Sequence, residues 1–293
     1  MNRENNNERT ACAIAVMNMK GGVAKTTTSE ALAAALTEMG QKVLLIDFDP
    51  QASATSCLGF GVEDEAVDGP VTEEMLLSDD IALYGIAEIM NDNMKKKPEN
   101  DWHELVVKTA EGFDFIPSSI DLASVEADMQ TQAYYKEAVL DRVLSHIRPD
   151  YDYIVIDCPP TLSLLFTNVT TAADKVIIPV SPEKSALRGF RLLYRKIVEI
   201  RDLLNPELEI EGIVITKVDA RSNKVKENIE SIRKLSGVVH IFDSIIPYGV
   251  KDAEYAIDSN VSFIGLYNNT RRPTELLSKI ATAYRNIAKE IIG

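Results

Sequence analysis

The chain has 293 residues, 45% of them apolar and 26% charged, with a formal net charge of −14. Those proportions exclude a low-complexity chain and describe a globular protein long enough to bury a sizeable core. The acidic balance excludes a surface coated in positive potential, so any nucleic-acid contact must be a local patch.

Residues 1–10 are almost wholly polar and Asn-rich, and read as a disordered tail rather than a signal or transit peptide. No run approaches the roughly 20 apolar residues needed to span a bilayer, and a cytoplasmic protein is expected. The first predicted strand covers 11–19, followed by a Gly-rich turn, an Ala-rich helix at 25–39 and a second strand at 42–47. From about 61 to 100 the chain leaves this alternation, with acidic stretches, short helical patterns at 73–77 and 81–90, and the run Lys95-Lys96-Lys97. We read it as a surface excursion, its lysines a solvated loop. Further strands are predicted at 113–117, 153–157, 175–180, 211–216 and 241–247, between helices at 132–146, 163–173, 185–204, 224–235 and 273–291. Ile154-Val155-Ile156 and Ile213-Val214-Ile215 are continuous β-branched runs, as in strands covered on both faces. This order predicts an α/β fold: one domain over 11–293 with a doubly wound, mostly parallel sheet flanked by helices. Ligands of such a sheet bind at the carboxyl ends of its strands. Cys12, Cys57 and Cys158 are too scattered for a disulfide framework or a CxxC metal site.

Directly after the first strand stands Met19-Lys20-Gly21-Gly22-Val23-Ala24-Lys25-Thr26-Thr27. Gly21 and Gly22 allow close approach of the backbone to an anion, and successive N–H groups at a helix start form an anion-binding nest. Lys25 then neutralises β- and γ-phosphates, and the Thr26 hydroxyl ligates Mg²⁺. The ordinary GxxxxGK[ST] pattern fails, because its glycines fall on Met19 and Ala24; the deviant KGGxxK[ST] pattern fits. Two acidic elements follow. Asp47-Phe48-Asp49-Pro50 ends the second strand, where either Asp is also a candidate N-cap. Tyr153-Ile154-Val155-Ile156-Asp157-Cys158-Pro159-Pro160 is a Walker B-like strand that delivers Asp157 to the Mg²⁺ shell, with the prolines holding an extended segment behind it.

With these motifs the chain resembles the ParA/MinD family of P-loop ATPases, and its segment Phe115-Ile116-Pro117-Ser118-Ser119-Ile120-Asp121-Leu122-Ala123 resembles the small ParA or Soj-like members. The resemblance implies a P-loop fold that binds ATP and Mg²⁺, with Lys20 reaching across a homodimer to the partner's nucleotide. It assigns Asp49 to positioning the attacking water, beside Lys20 and Lys25 as catalytic groups, and Asp47 to the neighbourhood of Mg²⁺. It makes Thr216 and Pro247 adenine contacts. Thr216-Lys217-Val218-Asp219 also matches the guanine-reading TKxD element of GTPases, which leaves GTP as an alternative. Slow hydrolysis is expected, since catalysis rests on positioning and charge stabilisation.

The resemblance further implies a DNA-partitioning ATPase that binds DNA without sequence preference as an ATP dimer and is stimulated by a ParB-like centromere-binding protein. The candidate phosphate contacts are Arg188, Arg191 and Arg195 with Lys196, which share a helix, then Arg221 with Lys224 and Lys226, and Arg271-Arg272. Arg188, Arg191 and Arg195 stand at i, i+3 and i+7, on one face. A solvated basic face is the plain alternative. A MinD-like positioning ATPase acting on a membrane or other cargo is the rival function. It needs an amphipathic basic C-terminal helix, and the last stretch, Tyr284 to Gly293, reads better as packed on the domain.

Overall fold

The computed structural model describes residues 11–60, 85–94, 101–131 and 135–293. The polar tail, the pattern at 73–77, the start of that at 81–90, the lysine run at 95–97 and the start of the helix expected at 132–146 lie outside them.

Eight strands form one sheet: β1 (Cys12–Val16), β2 (Val43–Asp47), β3 (Val107–Lys108), β4 (Asp114–Ile116), β5 (Tyr153–Asp157), β6 (Lys175–Val180), β7 (Glu209–Val218) and β8 (Ile241–Pro247). Their order is β3-β4-β2-β5-β1-β6-β7-β8. Every pairing is parallel except β3 with β4, so the doubly wound sheet expected from the sequence is present. After β1 the chain builds outward first on the β5 side and later on the β6 side, which makes the carboxyl end of β1 the crevice where such sheets bind ligands.

The period of two along each strand divides the core. Ala13, Ala15, Leu44, Ile46, Ile154 and Ile156 pack on one face, while Ile14, Val16, Val43, Leu45 and Val155 pack on the other. The first face is covered by α3 (Ile86–Met94), α4 (Asp121–Thr131), α5 (Val139–Ile147), α6 (Leu164–Ala172) and α7 (Ala186–Leu204). The second is covered by α1 (Lys25–Glu38), α10 (Phe263–Asn269) and α11 (Glu275–Ile292). Leu32-Ala33-Ala34-Ala35-Leu36 of α1 is buried all round. Small side chains let this helix sit close to sheet and α11 together, and each buried Leu contributes about 2 kcal/mol.

Three further helices are α2 (Ser53–Cys57), α8 (Asn223–Arg233) and α9 (Val250–Asp258). The helix expected at 132–146 begins at Val139, because Tyr135 adopts φ 63° and a 3-10 turn occupies Lys136–Ala138. An L residue at that torsion does not propagate a right-handed helix.

Candidate nucleotide-binding site

The chain leaves β1 through a tight loop and enters α1 at Lys25. Gly22 (φ 71°) and Ala24 (φ 65°) both take left-handed torsions. Glycine holds that conformation freely, whereas for alanine it costs roughly 1–2 kcal/mol. Ala24 thus takes a glycine-like torsion at the position where the GxxxxGK[ST] pattern has its second glycine. A methyl group placed on Gly21 or Gly22 would meet no protein atom within 4 Å, so the loop backbone borders open space. That space is a cleft of about 520 Å³, which Gly21, Gly22, Ala24, Lys25, Thr26 and Thr27 line from below.

Lys25 is about nine-tenths buried (9% exposed); among the described residues no side chain hydrogen-bonds its ammonium, which lies close enough to Asp157 to lower that carboxyl. Lys25 also lines the cleft, so its ammonium is available to an anion bound there. Thr26 Oγ1 donates to Asp157 Oδ2 at 2.7 Å, and Ser29 Oγ, one turn further along α1, donates to Asp157 Oδ1 at 3.0 Å. Asp157 ends β5 fully buried. Burial, and then the nearby Asp47, push its carboxyl up to about 7. Asp47 is its register neighbour on β2 and is likewise raised by burial to about 6. Glu30 on α1 is a third buried acid; burial first, then Asp157, drives it well above the usual carboxylate range.

Asp47 accepts from the Asp49 backbone N–H at 3.1 Å and from the Thr55 N–H and hydroxyl at 3.0 and 2.9 Å. Both of its oxygens are therefore engaged by protein donors, and it braces the turn beyond β2. Neither Asp47 nor Asp157 lines the cleft; both lie beneath it. Asp49 does line it, with Oδ1 accepting from the Gln51 N–H at 3.0 Å. Lys20 Nζ is paired with Glu183 Oε2 at 2.6 Å, on the loop between β6 and α7.

Pro247 lines the far wall with Tyr248, Gly249 and Val250. Thr216 does not line the cleft: it is fully buried under the loop, where its hydroxyl donates to the Val23 carbonyl at 2.9 Å. Asp219, the would-be guanine reader, is turned out to Arg221 at 2.9 and 3.0 Å, whose guanidinium holds it below the usual carboxylate range. Lys217, to which the sequence reading gave no role, does line the cleft, and its ammonium donates to the Gly22 carbonyl at 2.9 Å. Ser29 was also passed over, although its spacing of three from Thr26 on a helix puts both on one face.

Among the basic candidates, Arg188, Arg191 and Arg195 are exposed on α7 and unpaired with any described residue, whereas Lys196 pairs with Glu199. Arg221 is engaged by Asp219; Lys224, Lys226, Arg271 and Arg272 are exposed.

Residues 11–210 match the family model described as an AAA domain. Over 278 residues the chain is 36% identical to the sporulation initiation inhibitor protein Soj of Bacillus subtilis, covering 95% of this chain and 97% of that protein. Among solved structures, cobyrinic acid a,c-diamide synthase from Mycobacterium smegmatis with bound ATP analogue and magnesium has a TM-score of 0.73 at 30% identity, over 96% and 94% of the two chains. A plasmid partition protein from Borrelia burgdorferi bound to AMPPNP gives 0.67 at 25% identity, over 97% and 98%.

Proposed function

Because the chain belongs to the ParA/Soj family of P-loop ATPases, we propose that it binds Mg²⁺·ATP in the cleft above β1, hydrolyses it slowly, and uses the cycle to partition DNA. The observation that carries this reading is the Lys25 ammonium at the cleft, hydrogen-bonded to no side chain among the described residues, beneath an open loop backbone. Such a cradle is complementary to an anion such as a polyphosphate. Solved relatives holding an ATP analogue with magnesium, or AMPPNP, support the same ligand.

The donors at the loop suit a small hard cation, which takes few protein oxygens and completes its shell with phosphate and water. Thr26 would hold Mg²⁺ directly, and Asp157, 2.7 Å from that hydroxyl, would fix its orientation. When bound, the ion would neutralise phosphate charge. Lys25 binds the same phosphates. Asp49 keeps one oxygen on the Gln51 N–H and has the other to orient a water. Asp47 holds the turn that carries Asp49.

The finer cycle belongs to the same proposal. Two chains close face to face with Lys20 reaching the partner's nucleotide. The dimer binds DNA without sequence preference, and a ParB-like protein accelerates hydrolysis and release. The exposed arginines of α7, unpaired among the described residues, support the DNA step. A membrane-anchored alternative finds less support, because the apolar face of α11 (Leu277, Ile280, Tyr284, Ile287, Ile291) is buried in the core. Titration calorimetry with Mg²⁺·ATP tests the reading: the wild-type chain binds and Lys25→Ala does not. A wild-type chain without Mg²⁺-dependent affinity for ATP overturns it.

A further inference from the structure

Successive side chains on a strand point to opposite faces, so two consecutive residues reach one loop only where the strand is broken. β7 is broken in that way. Ile215 pairs with Ile245 and Val218 with Pro247, three steps on β7 against two on β8. The extra residue makes a bulge, a device that re-aims side chains. Lys217 within it carries φ 55°, a torsion uncommon outside glycine. As a result Thr216 donates to the Val23 carbonyl and Lys217 to the adjacent Gly22 carbonyl, each at 2.9 Å. The Lys217 ammonium also lies 5.3 Å from the centroid of the Tyr248 ring, on the cleft wall.

The consequence follows from the planarity of the peptide bond. In a trans peptide the C=O and the next N–H point in opposite directions. Holding the Gly22 and Val23 carbonyls on the β7 side turns the N–H groups of Val23 and Ala24 the other way. A phosphate nest depends on that orientation, and this loop needs outside help to keep it, since Ala24 itself sits at an unfavourable torsion.

We infer that Lys217 is a positioning residue of the nucleotide site: with Thr216 it clamps the phosphate loop through its carbonyls and presets the N–H groups that receive the anion. The inference rests on the reading of this cleft as an ATP site. It gives the Thr-Lys-Val-Asp element a task on the loop instead of on a base edge.

The test compares Mg²⁺·ATP affinity, KM, kcat and nucleotide-free melting temperature for Lys217→Met, Lys217→Gly and Lys217→Arg. Lys217→Met removes the donor and keeps the stem; it should weaken binding about tenfold, raise KM alike and leave kcat at saturation within about twofold. Lys217→Gly relieves the positive φ, so it should melt at or above the wild-type temperature while binding as poorly as Lys217→Met. A purely structural residue would move stability and affinity together. Lys217→Arg retains a cationic donor and should restore most of the affinity. Wild-type affinity in Lys217→Met, or Lys217→Arg as weak as Lys217→Met, overturns the clamp alone. Failure of the wild-type chain to bind Mg²⁺·ATP overturns the site reading and the clamp with it.

Discussion

Ala24 and Lys20 are the residues where this loop departs from the ordinary phosphate-loop pattern, and each departure makes a measurable claim. Ala24 holds φ 65°. Replacing it by glycine removes a strain of roughly 1–2 kcal/mol and restores unfolded-chain entropy of about 0.4–1 kcal/mol. The difference favours the variant, so Ala24→Gly should raise the melting temperature by a few degrees with nucleotide affinity no lower. A lower melting temperature would show that the Ala24 methyl contributes packing that outweighs its torsion. Lys20 is held by Glu183 on the same chain, yet the proposed dimer requires it at the partner's nucleotide. An exposed pair of this kind is worth at most about 1 kcal/mol. Glu183→Gln should therefore lower the ATP concentration for half-maximal dimerisation by up to about fivefold, read by light scattering. Lys20→Ala should bind ATP and remain monomeric; an ATP dimer of Lys20→Ala would exclude the cross-interface role.

At the scale of elements, the C-terminal end of α1 is joined to the middle of α11 by Arg285, which donates to Glu38 at 2.7 and 2.9 Å and stacks 4.8 Å from the Tyr267 ring centroid. Arg285 first, and Asn268 with it, hold the Glu38 carboxyl below its usual range. A depressed folded pKa means the stabilisation is present above the unfolded pKa and disappears as pH falls through the folded one. The melting temperature should thus drop less steeply in Glu38→Gln than in wild type between about pH 5 and pH 3; parallel curves would show that the pair is fully screened. How much of these elements was legible depended on whether their cause is local. Ile154-Val155-Ile156 announces a doubly covered strand because both faces demand apolar residues, and the motif order after the loop marks Asp49 and Asp157 without any structure. The five-residue α2 was invisible: its start depends on Ala52 at φ 50° and on Asp47 accepting from Thr55, a partner eight residues away. The two-residue β3 exists only through its pairing with β4. Lys217 was missed for the same reason, since a bulge is a relation between β7 and β8 that neither strand's sequence spells out.

For the whole molecule, the net charge of −14 sets the terms of any contact with DNA. Two chains together carry twice that charge, so dimerisation alone adds repulsion unless it also aligns the local cations. The exposed arginines at 188, 191 and 195 are well placed to do so, because they share one face of α7 and pair with no carboxylate among the described residues. DNA affinity falls with salt by about 0.9 of a logarithmic unit per phosphate contact. If both stripes of an ATP dimer engage, six contacts give a log–log slope of about −5, whereas one stripe gives about −3. Retardation of nonspecific duplex DNA across a salt series should show the steep slope with ATP and weak, shallow binding with ADP. Arg191→Ala should make the ATP slope shallower by nearly two units, because the substitution removes one contact from each chain. An unchanged slope in that variant would move the DNA surface off α7. Equal slopes with ATP and ADP would separate DNA binding from dimerisation altogether, and the nucleotide would then no longer explain how an acidic protein is switched onto a polyanion.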